Sequence, residues 1–103
     1  MFKSILNLLG LGPKVDYAEL VKNGAIIVDV RSVQEFSTGN IPNSINIPVE
    51  GIRKNIGELE GKQETPIITC CASGIRSATA KGVLKAKGFK VVHNGGGWFQ
   101  LGN

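Results

Sequence analysis

Pro66-Ile67-Ile68-Thr69-Cys70-Cys71-Ala72-Ser73-Gly74-Ile75-Arg76-Ser77 is the stretch that decides how this chain folds. Its first half is short, β-branched and bounded by a proline, which suits a buried strand. Its middle narrows to the small residues Ala72, Ser73 and Gly74, and a helical pattern follows over 77–87. A cysteine at that junction sits at the carboxyl end of a strand and faces the start of a helix. Unpaired backbone N–H groups gather there together with the positive end of the helix dipole, and they stabilise an anion. A thiolate is such an anion, so the expected chemistry is sulfur nucleophilicity at Cys71. Gly74 permits a positive φ, and the small residues let the amides curl inward as an anion-binding nest around the sulfur. A free thiol titrates near about pH 8.5, and such a setting lowers that value.

Working outward, Asp16 and Glu19 form a capping pattern ahead of a helix over 17–22 that stops at Asn23-Gly24. Residues 25–30 are apolar except for Asp29 and read as a strand buried on both faces. A short helix follows over 33–38, then a turn-rich connector over 39–44 and a short strand over 45–47. Val49, Ile52, Ile56 and Leu59 recur at helical spacing, and Glu50 with Lys54 fits an i,i+4 pair. On the helix after the cysteines, Ile75, Thr79, Val83 and Ala86 share one face, Ser77, Lys81 and Lys85 another, and Gly88 suits the C-terminal cap. A last strand over 90–93 precedes a glycine turn, Asn94-Gly95-Gly96-Gly97, and Trp98-Phe99. Strands alternating with helices imply an α/β fold whose central parallel sheet of about five strands is flanked by helices on both faces. Active sites of such sheets lie outside the carboxyl ends of the strands, where Asp29, Cys70 and Cys71 fall.

With 103 residues, 42% of them hydrophobic, the chain is expected to form one domain spanning 1–103. Residues 1–13 are read as an N-terminal extension or short amphipathic helix; the single Lys3, the interrupting Asn7 and the lack of a cleavage pattern disfavour a signal segment. No apolar run reaches membrane-span length. The net charge of +4 suits small anionic ligands, while scattered basic residues and six aromatics give no nucleic-acid footprint. Adjacent cysteines do not staple distant segments, and two of them with one histidine make a poor metal site, so neither a metal nor a cofactor is expected. A reactive thiol in a reducing, cytoplasmic setting fits better.

The residues resemble the rhodanese-like sulfurtransferases, in their single-domain form. The similarity runs over about 16–101 and rests on three separated motifs. They are Asp29-Val30-Arg31 with Glu35-Phe36, Gly39, Ile41-Pro42 and Asn46-Ile47-Pro48; Cys71-Ala72-Ser73-Gly74-Ile75-Arg76-Ser77; and the glycines before Trp98. The resemblance implies that Cys71 takes a sulfur atom from a small anionic donor such as thiosulfate and passes it to cyanide or a thiol, a protein thiol included. It also implies that Ala72, Ser73, Gly74, Ile75, Arg76 and Ser77 form the substrate-binding loop. Where the family usually has Gly-His-Ile-Pro-Gly-Ala, this chain has Gly39-Asn40-Ile41-Pro42-Asn43-Ser44, and Asn43 still tolerates a positive φ.

Other readings stand beside these. Counted from Cys70, the loop has the Cys-x5-Arg spacing of a phosphatase or an arsenate-reductase-like enzyme; counted from Cys71, it has the narrower Cys-x4-Arg spacing. A non-catalytic binding module is the third. Asp29 is read as a supporting partner of Arg76 or as a cap on the next turn, and Arg31 is expected to support the site while pairing with Glu35. Trp98 is read as core, and His93 as packed or exposed rather than catalytic.

Overall fold

The computed structural model describes residues 15–102. The expectations for residues 1–13 lie outside that range. In order, the elements are α1 (Tyr17–Lys22), β1 (Ile26–Asp29), α2 (Val33–Thr38), β2 (Ile45–Asn46), two 3-10 turns (Val49–Gly51 and Gly57–Leu59), β3 (Ile67–Cys71), α3 (Ile75–Ala86), β4 (Val92–Gly97) and α4 (Trp98–Leu101). The strands form one sheet in the order β2-β1-β3-β4, parallel throughout. The α/β architecture read from the sequence is present, with four strands among the described residues.

Local chemistry explains the boundaries. Asp16 caps α1 by accepting from the Glu19 N–H, at 3.0 Å. Ser32 and Glu35 close a full capping box on α2, which the sequence reading had passed over. Asn43 takes a φ of 69°, so the connector turn survives without a glycine there. Gly74, at φ 103°, precedes α3, and Gly88, at φ 94°, follows it. Val28, Val30, Ile47, Ile52, Leu59, Ile67, Val83, Leu84, Phe89 and Val92 form the buried core.

Four expectations need correction. Residues 49–59 do not form a helix. Gly51, Asn55 and Gly57 are poor helix formers, and two 3-10 turns bury Ile52 and Leu59 instead. Strand β1 is not buried evenly on both faces: Val28 and Asp29 are buried, while Ile26 and Ile27 are half-buried. The inward face of α3 is Ser77, Ala80, Val83 and Leu84, and Ile75 is 76% exposed. The helix begins at Ile75, two residues before the range read from the sequence, and Ser77 is held inward by polar partners described below. Lastly, the glycine run is strand rather than turn. Thr69 pairs with Asn94 and Cys71 with Gly97, so β4 carries one extra residue at this point, a bulge.

Gly95 must be glycine for steric reasons. A Cβ there would lie 2.8 Å from Ile68 Cγ2, 2.9 Å from Leu101 Cδ2 and 3.0 Å from the Thr69 carbonyl oxygen. Gly95→Ala is expected to destabilise the fold by about 1–3 kcal/mol, the usual range for overpacking. The test is a denaturant titration, and an unchanged midpoint would refute the close approach.

Candidate active site

The sulfur of Cys71 lies where β3 ends, under the turn that leads into α3. The Gly74 N–H donates to Sγ at 3.0 Å and the Ser77 N–H at 3.4 Å, and the Ser77 hydroxyl is also 3.4 Å away. Both main-chain donors come from the loop the sequence singled out, and they point at the sulfur. Burial pushes the Cys71 thiol up, but the hydroxyl and amide of Ser77 and the amides of Gly74 and Ser73 outweigh it, bringing the group down to about 7. Cys70 is the opposite case. Burial, with the negative charge of Asp29 second, pushes its thiol up to about 12, so it stays protonated at neutral pH. Both residues are 0% exposed.

Around the sulfur, Ala72, Ser73 and Ile75 are exposed, Gly74 and Arg76 half-buried, and Ser77 buried. The polar framework differs from the expected pairing. Arg31 does not pair with the Glu35 carboxylate. Its guanidinium binds Asp29, with Nη2 to Oδ2 at 2.8 Å and Nε to both carboxylate oxygens at 3.0 Å. It also donates to the Glu35 and Gly39 carbonyls and lies 4.3 Å from the Trp98 ring centre. Trp98 is half-buried and roofs this pair, rather than being core alone. Arg76 does not pair with Asp29. Its Nη1 and Nη2 donate to the two oxygens of Glu35 at 2.7 and 3.0 Å. The Arg76 contact holds the Glu35 carboxyl well below its usual range, at about 2, so the pair is charged at any physiological pH.

Two residues in this framework escaped the sequence reading. Glu35 was assigned to the wrong arginine, although Ser32-x-x-Glu35 is a legible capping box that fixes where its carboxylate sits. Asn94 was read only as a turn residue. Its side chain contacts Ser77, Gly74 and Gly96, and the sequence carries no signal for that beyond its place beside the glycines. His93 is half-buried against the Tyr17 ring, and its affinity for a proton is lowered by burial and by Lys81 and Lys85. Among the described residues, no cluster of three or more His, Cys, Asp or Glu side chains is placed to hold a metal ion, and no helix is long and apolar enough to cross a membrane.

A parallel sheet with a cysteine cradled by main-chain amides at a strand's carboxyl end defines a small class of proteins, and comparison places the chain within it. The rhodanese-like domain family matches residues 14–102, and the chain belongs to that family. YrkF of Bacillus subtilis is 40% identical over 68 residues, which span 66% of this chain and 36% of YrkF, so the chain corresponds to about a third of that relative. The thiosulfate sulfurtransferase GlpE of Pseudomonas savastanoi is 32% identical over 82 residues, spanning 80% of this chain and 76% of GlpE. Among solved structures, a rhodanese-related protein from Thermoplasma volcanium superposes with a TM-score of 0.68 at 34% identity, covering 86% of this chain and 92% of that one.

Proposed function

We propose that this chain is a sulfurtransferase that carries sulfane sulfur on Cys71 as a persulfide. The observation that carries the reading is the set of main-chain N–H groups aimed at Cys71 Sγ, with the ordinary thiol proton affinity lowered to about 7. With thiosulfate as donor, the Cys71 thiolate attacks the outer sulfur and forms a new S–S bond. The S–S bond of thiosulfate breaks, and sulfite leaves with the electron pair. Three negative charges enter and three remain, so no protein acid or base is needed, in keeping with a loop that contains no histidine. An acceptor, cyanide or the thiolate of a small molecule or protein, then attacks the outer sulfur of the persulfide and restores the Cys71 thiolate. Amides of residues 72–77 hold the charge in both states. Arg76 acts here as a brace fastened to Glu35, and Asp29 with Arg31 supports the strand end beneath the loop. A reducing compartment such as the cytoplasm keeps the thiol available.

The phosphatase reading has less support. Burial holds Cys70 protonated, with its thiol pushed up to about 12, so the wider Cys-x5-Arg loop counted from it lacks a ready nucleophile.

The deciding test is incubation with thiosulfate followed by intact-mass measurement. A gain of one sulfur atom is expected. Hydrolysis of an aryl phosphate without sulfur uptake would point to the phosphatase, and neither reaction to a binding module. The rate of sulfur uptake should also follow the thiolate. It is expected to be half-maximal near pH 7, level above, and to fall about tenfold per unit below, because protonation removes the nucleophile. A midpoint near that of a free thiol would overturn the Ser77 hydroxyl and the loop amides as its cause.

A further inference from the structure

Asn94 stands at the centre of a hydrogen-bond cluster that the reaction above does not use. Its Nδ2 donates to the Gly74 carbonyl at 3.0 Å, while its Oδ1 accepts from the Gly96 N–H at 3.0 Å and from the Ser77 hydroxyl at 2.6 Å. The orientation of the amide is fixed by its neighbours. A backbone N–H only donates and a carbonyl only accepts, so Oδ1 must face Gly96 and Ser77. Ser77 has one hydroxyl proton. While that proton goes to Asn94, the hydroxyl presents its lone pairs to Cys71 Sγ, 3.4 Å away. This geometry suits the thiol, whose S–H can donate to the Ser77 oxygen. It does not suit the thiolate, which needs the same proton turned toward it.

We propose that Asn94 is a positioning residue that competes with the Cys71 sulfur for the Ser77 hydroxyl proton and so sets how readily that sulfur holds negative charge. The inference deepens the sulfur-transfer reading and rests on it. In the free thiolate the hydroxyl proton turns to sulfur. In the persulfide the charge moves to the outer sulfur, and the proton returns to Asn94. The Ser77–Asn94 pair thus follows the charge on Sγ through the cycle without any proton leaving the protein.

The other groups with a charge or proton to exchange here are Arg76 on α3, held by Glu35 of α2; Glu50 on the first 3-10 turn, which acts electrostatically on Arg76; Cys70 on β3; and the Asp29–Arg31 pair beside Cys70. None is altered in the test, which is a double-mutant cycle on the ultraviolet titration of the Cys71 thiolate, with Cys71→Ala as the blank. Asn94→Ala frees the hydroxyl and is expected to lower the midpoint by about one pH unit, the difference between a neutral and a charge-assisted hydrogen bond. In a Ser77→Ala background the same substitution is expected to leave the midpoint unmoved. Equal shifts in the two backgrounds, or a rise or no shift in the first, would overturn the proposal, because a purely structural role through Gly74 does not depend on the hydroxyl. Should Asn94→Ala not fold, Asn94→Asp keeps the shape and grips the hydroxyl more firmly. Its midpoint is expected to rise, and to rise less when Ser77 is alanine; equal rises would overturn the idea. The titration uses no sulfur donor, so its outcome is separate from whether the protein transfers sulfur.

Discussion

Cys71→Ala is expected to abolish sulfur uptake from thiosulfate, a fall on the order of 10^4-fold or more in turnover, as for the loss of other covalent nucleophiles. Cys70→Ala is expected to retain it. The asymmetry follows from the two environments. The sulfur of Cys71 is held by the Ser77 hydroxyl and main-chain N–H groups and is brought down to about 7 against its burial, whereas burial, with the charge of Asp29 second, pushes Cys70 up to about 12. Alanine at position 71 removes one sulfur atom from a site bonded mainly to backbone, so the melting temperature should move by only a few degrees. Intact-mass measurement after incubation with donor reads the chemistry, and a thermal melt reads the fold. Sulfur uptake that survives Cys71→Ala and vanishes in Cys70→Ala would reverse the assignment.

Asp29→Ala carries the largest expected effect on stability. It leaves the Arg31 guanidinium buried without its counter-charge, a loss of about 3–5 kcal/mol for a broken buried pair. In a domain of this size each kcal/mol shifts the melting temperature by about 4–8 °C, so a fall of at least about 12 °C is expected. Arg31 is 3% exposed and Asp29 0%, so neither charge can turn to water in compensation. Replacing both by apolar residues of similar volume should recover much of the loss, since the removed charges no longer need each other. A single Asp29→Ala variant that melts within about 4 °C of the parent, the shift from a loss of about 1 kcal/mol or less, would show that the pair contributes little.

The expectations that held rest on short-range physics. A β-branched run ahead of small residues placed the cysteine at a strand end, and the donors at Gly74 and Ser77 came from within six residues of it. Gly74 and Asn43 took the positive φ their side chains permit. The misreadings came where a distant partner decides. Arg31, Arg76, Asp29 and Glu35 allow more than one charge-balanced pairing, and only the folded chain, which brings Arg76 at the start of α3 onto the Glu35 carboxylate and leaves Arg31 on Asp29, selects the one observed. Ser77 looked like a surface residue on a helical wheel, yet it is buried because Asn94 and Cys71 await it from neighbouring strands. Gly95, Gly96 and Gly97 looked like a turn, since nothing local says that Ile68 and Leu101 crowd the space a side chain would fill.

One carboxylate joins two distant parts of the chain at the site. Glu35 closes the amino end of α2 through the Ser32 N–H and hydroxyl, and also grips Arg76, 41 positions further along the chain. The sulfur's environment therefore belongs to several chain segments meeting at once. An excised peptide with the same seven loop residues would behave as an ordinary thiol, and transplanting those residues into an unrelated scaffold would carry over the letters of the motif but not its reactivity.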